Sequence, residues 1–200
     1  MGMSGVKIQL SPEEQEMAAN TGIILTKNRV LASVMEIFGE LSAAQVAMAE
    51  SQRRRLPGEF FSATPKIARG ENYLQMPWIM LDYPRHFDVA RTLAIRQFFW
   101  WGNFFSVNLH VSGLFKQRVL ERVADWPEEL RICVHPSPWE HHYGPDNFVP
   151  VSGLGHSERH EIAGRTDFLK LSMAMPLTQW NTAPTFLLNG FNNYLKLLED

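Results

Sequence analysis

Thiol chemistry is almost missing from this chain: its 200 residues include one cysteine, Cys133. No intrachain disulfide can form, and no metal site can be built from cysteines. Cys133 lies in 130–134, which reads as a buried strand, so an inert core thiol is the default. Net charge is equally scarce. Nineteen Lys and Arg against 21 Asp and Glu leave −2, too little to recruit nucleic acid or an anionic membrane over the whole surface. The only dense basic run, Arg53, Arg54 and Arg55, sits where a long helix is expected to end, and the helix dipole favours cations there without any ligand. No apolar run is uninterrupted for 18 residues, and the first seven residues have no apolar core of leader length. A cytoplasmic location with no membrane and no nucleic-acid partner is therefore expected. Glycine-rich phosphate loops and G-x-S-x-G elbows are absent as well; at the nearest approach, Ser152, the motif's glycine positions hold Pro150 and Leu154. Cofactor classes that depend on strong motifs are thereby disfavoured.

What the chain does contain is average in bulk and unusual in detail. Hydrophobic residues make up 45% and charged ones 20%, as in an ordinary globular protein, but 13 Phe and 6 Trp call for a bulky core or an aromatic-lined cavity. One globular domain over 1–200 is expected, with a helical arm at 11–56 and a sheet-containing core at 60–200.

The order of elements follows from periodicity. Ser11-Pro12-Glu13-Glu14 is a capping-box start for a short first helix. Val30, Val34, Ile37, Leu41, Ala44 and Met48 then recur in steps of four and three, predicting an amphipathic helix over 27–55, about 40 Å long at about 1.5 Å per residue. Such length suits a pairing helix in a homodimer as well as one laid along its own sheet. From Tyr73 the period becomes two, giving a strand that Asp82-Tyr83-Pro84-Arg85 breaks. Aromatic runs flank Gly102-Asn103, which reads as a two-residue hairpin turn. On that register Gln97, Phe99 and Trp101 share a face with Phe104, Ser106, Asn108 and His110. A middle helix over 114–124, strands at 130–134 and 168–177, and a last helix over 184–198 complete an α+β fold with a mainly antiparallel sheet of about four to six strands.

Two constellations could carry chemistry. His135, His141, His142, His156 and His160 fall in one Pro- and Gly-broken segment, 135–160, that also holds Glu140, Asp146 and Glu158. Imidazoles with a carboxylate can hold a divalent metal, and His156 and His160 would share a face if 155–161 were helical. The spacing matches no standard metal signature, so solvated loop histidines are the plain alternative. The second constellation is the hairpin face with Gln97, Asn108 and His110 between Phe99 and Trp101, a mixture of hydrogen-bonding groups and aromatic walls suited to a small-molecule pocket.

Together these predict a small-molecule-binding protein whose histidine-rich loop covers the polar strand face. Enzymatic action would be metal-assisted or general acid–base, with His110 and His142 as proton carriers, Gln97, Phe99, Trp101 and Asn108 as ligand contacts, and His156 and His160 as metal ligands. The rival reading is a non-enzymatic interaction protein that homodimerises through the long helix.

Overall fold

The computed structural model of the chain describes residues 9–88 and 90–199; the first seven residues, read above for a leader, lie outside them. The fold is α+β. Its elements are α1 (Pro12–Ala19), α2 (Thr21–Ser51), β1 (Lys66–Tyr73), β2 (Met76–Phe87), β3 (Thr92–Trp100), β4 (Phe104–Ser112), α3 (Gly113–Glu121), β5 (Arg131–Cys133), β6 (Phe148–Pro150), α4 (His156–Gly164), β7 (Phe168–Pro176) and α5 (Ala183–Leu198). Among the described residues the sheet has seven antiparallel strands in the order β1-β2-β3-β4-β7-β5-β6, which corrects the expectation of four to six. The extra strands are the two edges. β1 is largely exposed and polar, and β6 is three residues long, so neither carries an apolar signature.

α1 starts on the predicted capping box, with Ser11 Oγ accepting from the Glu14 amide and Glu14 accepting from the Ser11 amide. Asn20 then serves both helices, closing α1 and capping α2 through its side chain to the Gly22 amide (3.0 Å). The long helix consequently begins at Thr21 rather than at residue 27 and ends at Ser51 rather than at 55. From Leu31 onward it buries Leu31, Val34, Phe38, Leu41, Gln45 and Ala49, so this length of the predicted arm is core. Only α1 and the first turns of α2 stand clear. By length and composition α2 is long and apolar enough to cross a membrane, which a count of uninterrupted apolar residues misses, and 28% of that stretch is buried within the fold.

α2 and α5 lie side by side on one sheet face, over Ile79, Leu81, Ile95, Phe99, Phe105, Val107, Leu109, Leu171 and Met173. α5 sits unusually low. A Cβ on Gly190 would lie 2.3 Å from Val107 Cγ1, so only glycine permits this approach. Beside it Tyr194 Oη donates to the Val107 carbonyl (3.1 Å).

The hairpin register differs from the predicted one by a single residue. Trp100 pairs with Phe104 and Phe98 with Ser106, leaving Trp101, Gly102 and Asn103 as a three-residue connection in which Gly102 has φ 72°. A slip of one exchanges the faces of a strand. Ser106, Asn108 and His110 therefore share their face with Arg96, Phe98 and Trp100, and Gln97 and Phe99 belong to the helix-covered face.

Candidate functional site

On the face opposite the helices, the central strands present Asp82, Arg96, Ser106, Asn108, His110, Lys170 and Ser172, all of them buried. What buries them is the loop over 134–147, held down by bonds from several strands. Lys170, directly opposite His110 in the β4–β7 register, donates to the carbonyls of Pro138 (3.0 Å) and Glu140 (2.5 Å) and approaches His141 Nδ1 (3.5 Å). Tyr73 Oη, on β1, accepts from the amides of His141 (2.7 Å) and His142 (3.1 Å) and donates to Glu140 (3.1 Å). His141 stacks on Phe98 with ring centroids 4.7 Å apart, and Tyr143 bonds Ser172.

Within this layer one pair of opposite charges is closed. Arg96 makes a forked pair with Asp82 (2.8 and 3.1 Å), and its guanidinium lies over the rings of Phe87 (5.2 Å) and Trp139 (5.0 Å). Lys170 is 1% exposed, and burial, with the positive charge of Arg96, pushes its pKa down to about 7 against the pull of Cys133 and Glu140. Burial, reinforced by Lys170 and Arg96, lowers His110 to about 3 and carries His141 well below its ordinary value. Both imidazoles are neutral at physiological pH. Cys133 is buried and its thiol is pushed up by that burial, so it is no ready nucleophile.

One side of this layer is open. A cavity of about 320 Å³ is lined by Phe87, Asp88, Thr92, His110, Ser112, Pro138, Trp139, Asp167 and Phe168. His110 meets Trp139 and Phe168 nearly edge-on (centroids 5.7 and 5.6 Å), and Phe87 and Trp139 are 5.9 Å apart. His110 Nδ1 is out of solvent contact and has no hydrogen-bond partner among the described residues, which leaves Nε2 as the nitrogen a molecule in the cavity can reach. A larger groove, about 640 Å³, runs between Ile23 on α2 and Met76, Pro77 and Trp101, far poorer in titratable groups.

The predicted site residues are thus dispersed. His110 reaches the cavity. Asn108 shares its face but is consumed internally, donating to the Arg96 carbonyl (3.3 Å) and Ser106 (3.1 Å) while accepting from Ser172 (2.7 Å). Gln97 lies under α5, donating to the Leu187 carbonyl (3.0 Å), and Phe99 packs on Phe105 in the helical core. Trp101 lines the groove by α2. His142 is half-buried, its Nδ1 accepting from the Gly144 amide (3.2 Å), with Glu140 and Asp146 each 4.0 Å away, and it does not line the His110 cavity.

His156 and His160 do fall four apart on a helix, but α4 turns Arg159 and Ala163 inward and leaves both histidines exposed. Arg159 fills the interior side, bonding the Leu154 and Val151 carbonyls and Glu128. Among the described residues no group of three or more His, Cys, Asp or Glu side chains is placed to hold one metal ion.

Sequence reasoning missed Phe87, Trp139 and Phe168 as walls, and Lys170 as the pin of the loop. Lys170 carried a visible signal: it is the one charged residue in the mostly apolar strand Phe168–Pro176. Compared with known proteins, the chain matches no family model, no curated protein and no solved structure.

Proposed function

We propose that this chain is a small-molecule-binding protein whose site is the cavity between Phe87, Trp139 and Phe168, with His110 as its polar floor. The observation that carries this reading is the imidazole itself. A polar ring 4% exposed, with no hydrogen-bond partner among the described residues, opens onto an aromatic-walled space. A bound molecule can give Nε2, the nitrogen that faces the cavity, a hydrogen bond that no described residue supplies.

Binding is favoured over acid–base catalysis. An imidazole with its pKa near 3 is a weak base, and Lys170, whose pKa near 7 would suit proton transfer, is sealed beneath the loop. Calorimetric screening of small aromatic and aliphatic polar compounds tests the reading, with Trp139→Ala as the control. Trp139 is 52% exposed, so its truncation removes a wall without opening the core. Binding that is lost in Trp139→Ala is the expected result; compounds that bind both proteins equally, or none that binds, would overturn it.

A second reading concerns the clear end of the arm. Met17, Ile23, Ile24 and Leu25 are each 43–56% exposed, and α1 buries nothing. Homodimerisation through these residues, with one copy's arm on the other's Ile23–Met76–Trp101 groove, would cover them. Light-scattering mass of the Ile23→Glu, Leu25→Glu variant tests it: a dimer that becomes monomeric supports it, and a monomeric starting protein refutes it.

A further inference from the structure

We infer that the molecule held over His110 is a small organic cation, of the alkylammonium class. This inference rests on the cavity being a binding site, and concerns what it selects. The described lining contains two carboxylates, Asp88 and Asp167, and no lysine or arginine. Its walls are aromatic: Phe87 and Trp139 stand 5.9 Å apart at 47°, and Phe168 lies 5.6 Å from His110. Aromatic faces with carboxylates at the rim attract a cation twice over, through ring quadrupoles and through charge.

The cations nearby are already matched. Arg96 lies over the same two rings but is not part of the lining, and its charge is balanced by the forked bond to Asp82. Lys116 feels the Asp167 charge, yet its ammonium donates to the Thr166 carbonyl (2.6 Å) and is not part of the lining. His110 adds no positive charge of its own while it is neutral, and its reachable nitrogen suits a hydroxyl or amide on the ligand. About 320 Å³ is room for roughly ten water-sized units at about 30 Å³ each, which fits a compact ammonium.

Three probes of matched shape separate charge from fit: choline, its neutral isostere 3,3-dimethylbutan-1-ol, and the anion 3,3-dimethylbutyrate. Each is titrated into the full chain while the His110 ring resonances are followed by NMR. The expected result is choline binding about five- to tenfold more tightly than the alcohol, with the anion weakest. The Asp88→Asn, Asp167→Asn variant should narrow the gap between choline and the alcohol. Both residues are exposed, and the Asp88→Asn change keeps a side-chain oxygen to accept from the Ala90 amide (2.9 Å), so the fold is retained. If the alcohol or the anion binds as tightly as choline and Trp139→Ala abolishes both, the cation inference is overturned and the pocket stands. If none of the three moves His110, the cation inference is overturned and the pocket reading loses its support too.

Discussion

Replacing Lys170 with methionine should flatten the pH dependence of stability between pH 7 and 9. In the folded chain the ammonium is buried and its pKa falls to about 7, whereas an unfolded lysine titrates near 10.4. Between those values the unfolded chain holds a proton that the folded chain has released, so stability rises with pH across the window. Starting from half-protonation at pH 7, the rise to pH 9 integrates to about 2 kcal/mol at about 1.4 kcal/mol per pKa unit. From about pH 8 upward the signal is partly opposed, first by Cys133, whose unfolded thiol titrates near 8.5, and then by the tyrosines. The Cys133, Tyr143 and Tyr194 groups are held protonated in the fold by burial, and their contribution falls as pH climbs through their unfolded values. Urea denaturation at pH 7, 8 and 9 is the assay. Lys170→Met also strands the Pro138 and Glu140 carbonyls, which shifts its stability at every pH but not the slope. A wild-type protein with no rise over the window, or a variant that keeps it, would refute the assignment.

Other elements make equally specific predictions. Arg96→Ala leaves the Asp82 carboxylate buried without its partner and should cost about 3–5 kcal/mol in denaturant midpoints, with Asp82→Asn recovering part of the loss in the Arg96→Ala background. Gly190→Ala drives a methyl to 2.3 Å from Val107 and should cost about 1–3 kcal/mol, which Val107→Ala would relieve in the double variant.

The sequence was legible where one physical signal dominated. The capping box at Ser11 marks the start of α1, and the alternation of Leu169, Leu171, Met173 and Met175 marks a buried strand face. The recurrence along α2 located the helix but not its buried line: of Val30, Val34, Ile37, Leu41, Ala44 and Met48 only Val34 and Leu41 are buried, and the line continues through Leu31, Phe38, Gln45 and Ala49. Register was not legible in the same way. Gly102-Asn103 suits a two-residue turn, but the chain spends Trp101 in the connection as well, and that residue moved Gln97 and Phe99 to the helical core. β1 escaped notice because Lys66–Tyr73 is an edge with little to bury, and its Tyr73 matters through one hydroxyl that holds the loop. The histidine-rich segment proved heterogeneous. His141 is a buried stacking partner and His142 a half-buried neighbour of carboxylates, while His156 and His160 are exposed on α4. Composition brought them together in sequence, and the chain between them, with its buried Arg159, sends them to different surroundings. His110 was found because a histidine among alternating strand residues stands out; its aromatic walls come from three distant segments that only the fold assembles.

The cavity over His110 is tested most directly by NMR of the histidine rings during titration with a compound that binds in calorimetry. The resonances of His110 should move with the calorimetric affinity while those of exposed His156 and His160 stay fixed, and Trp139→Ala should abolish the response. Shifts confined to His156 and His160, or an unchanged His110 at saturating compound, would contradict the account.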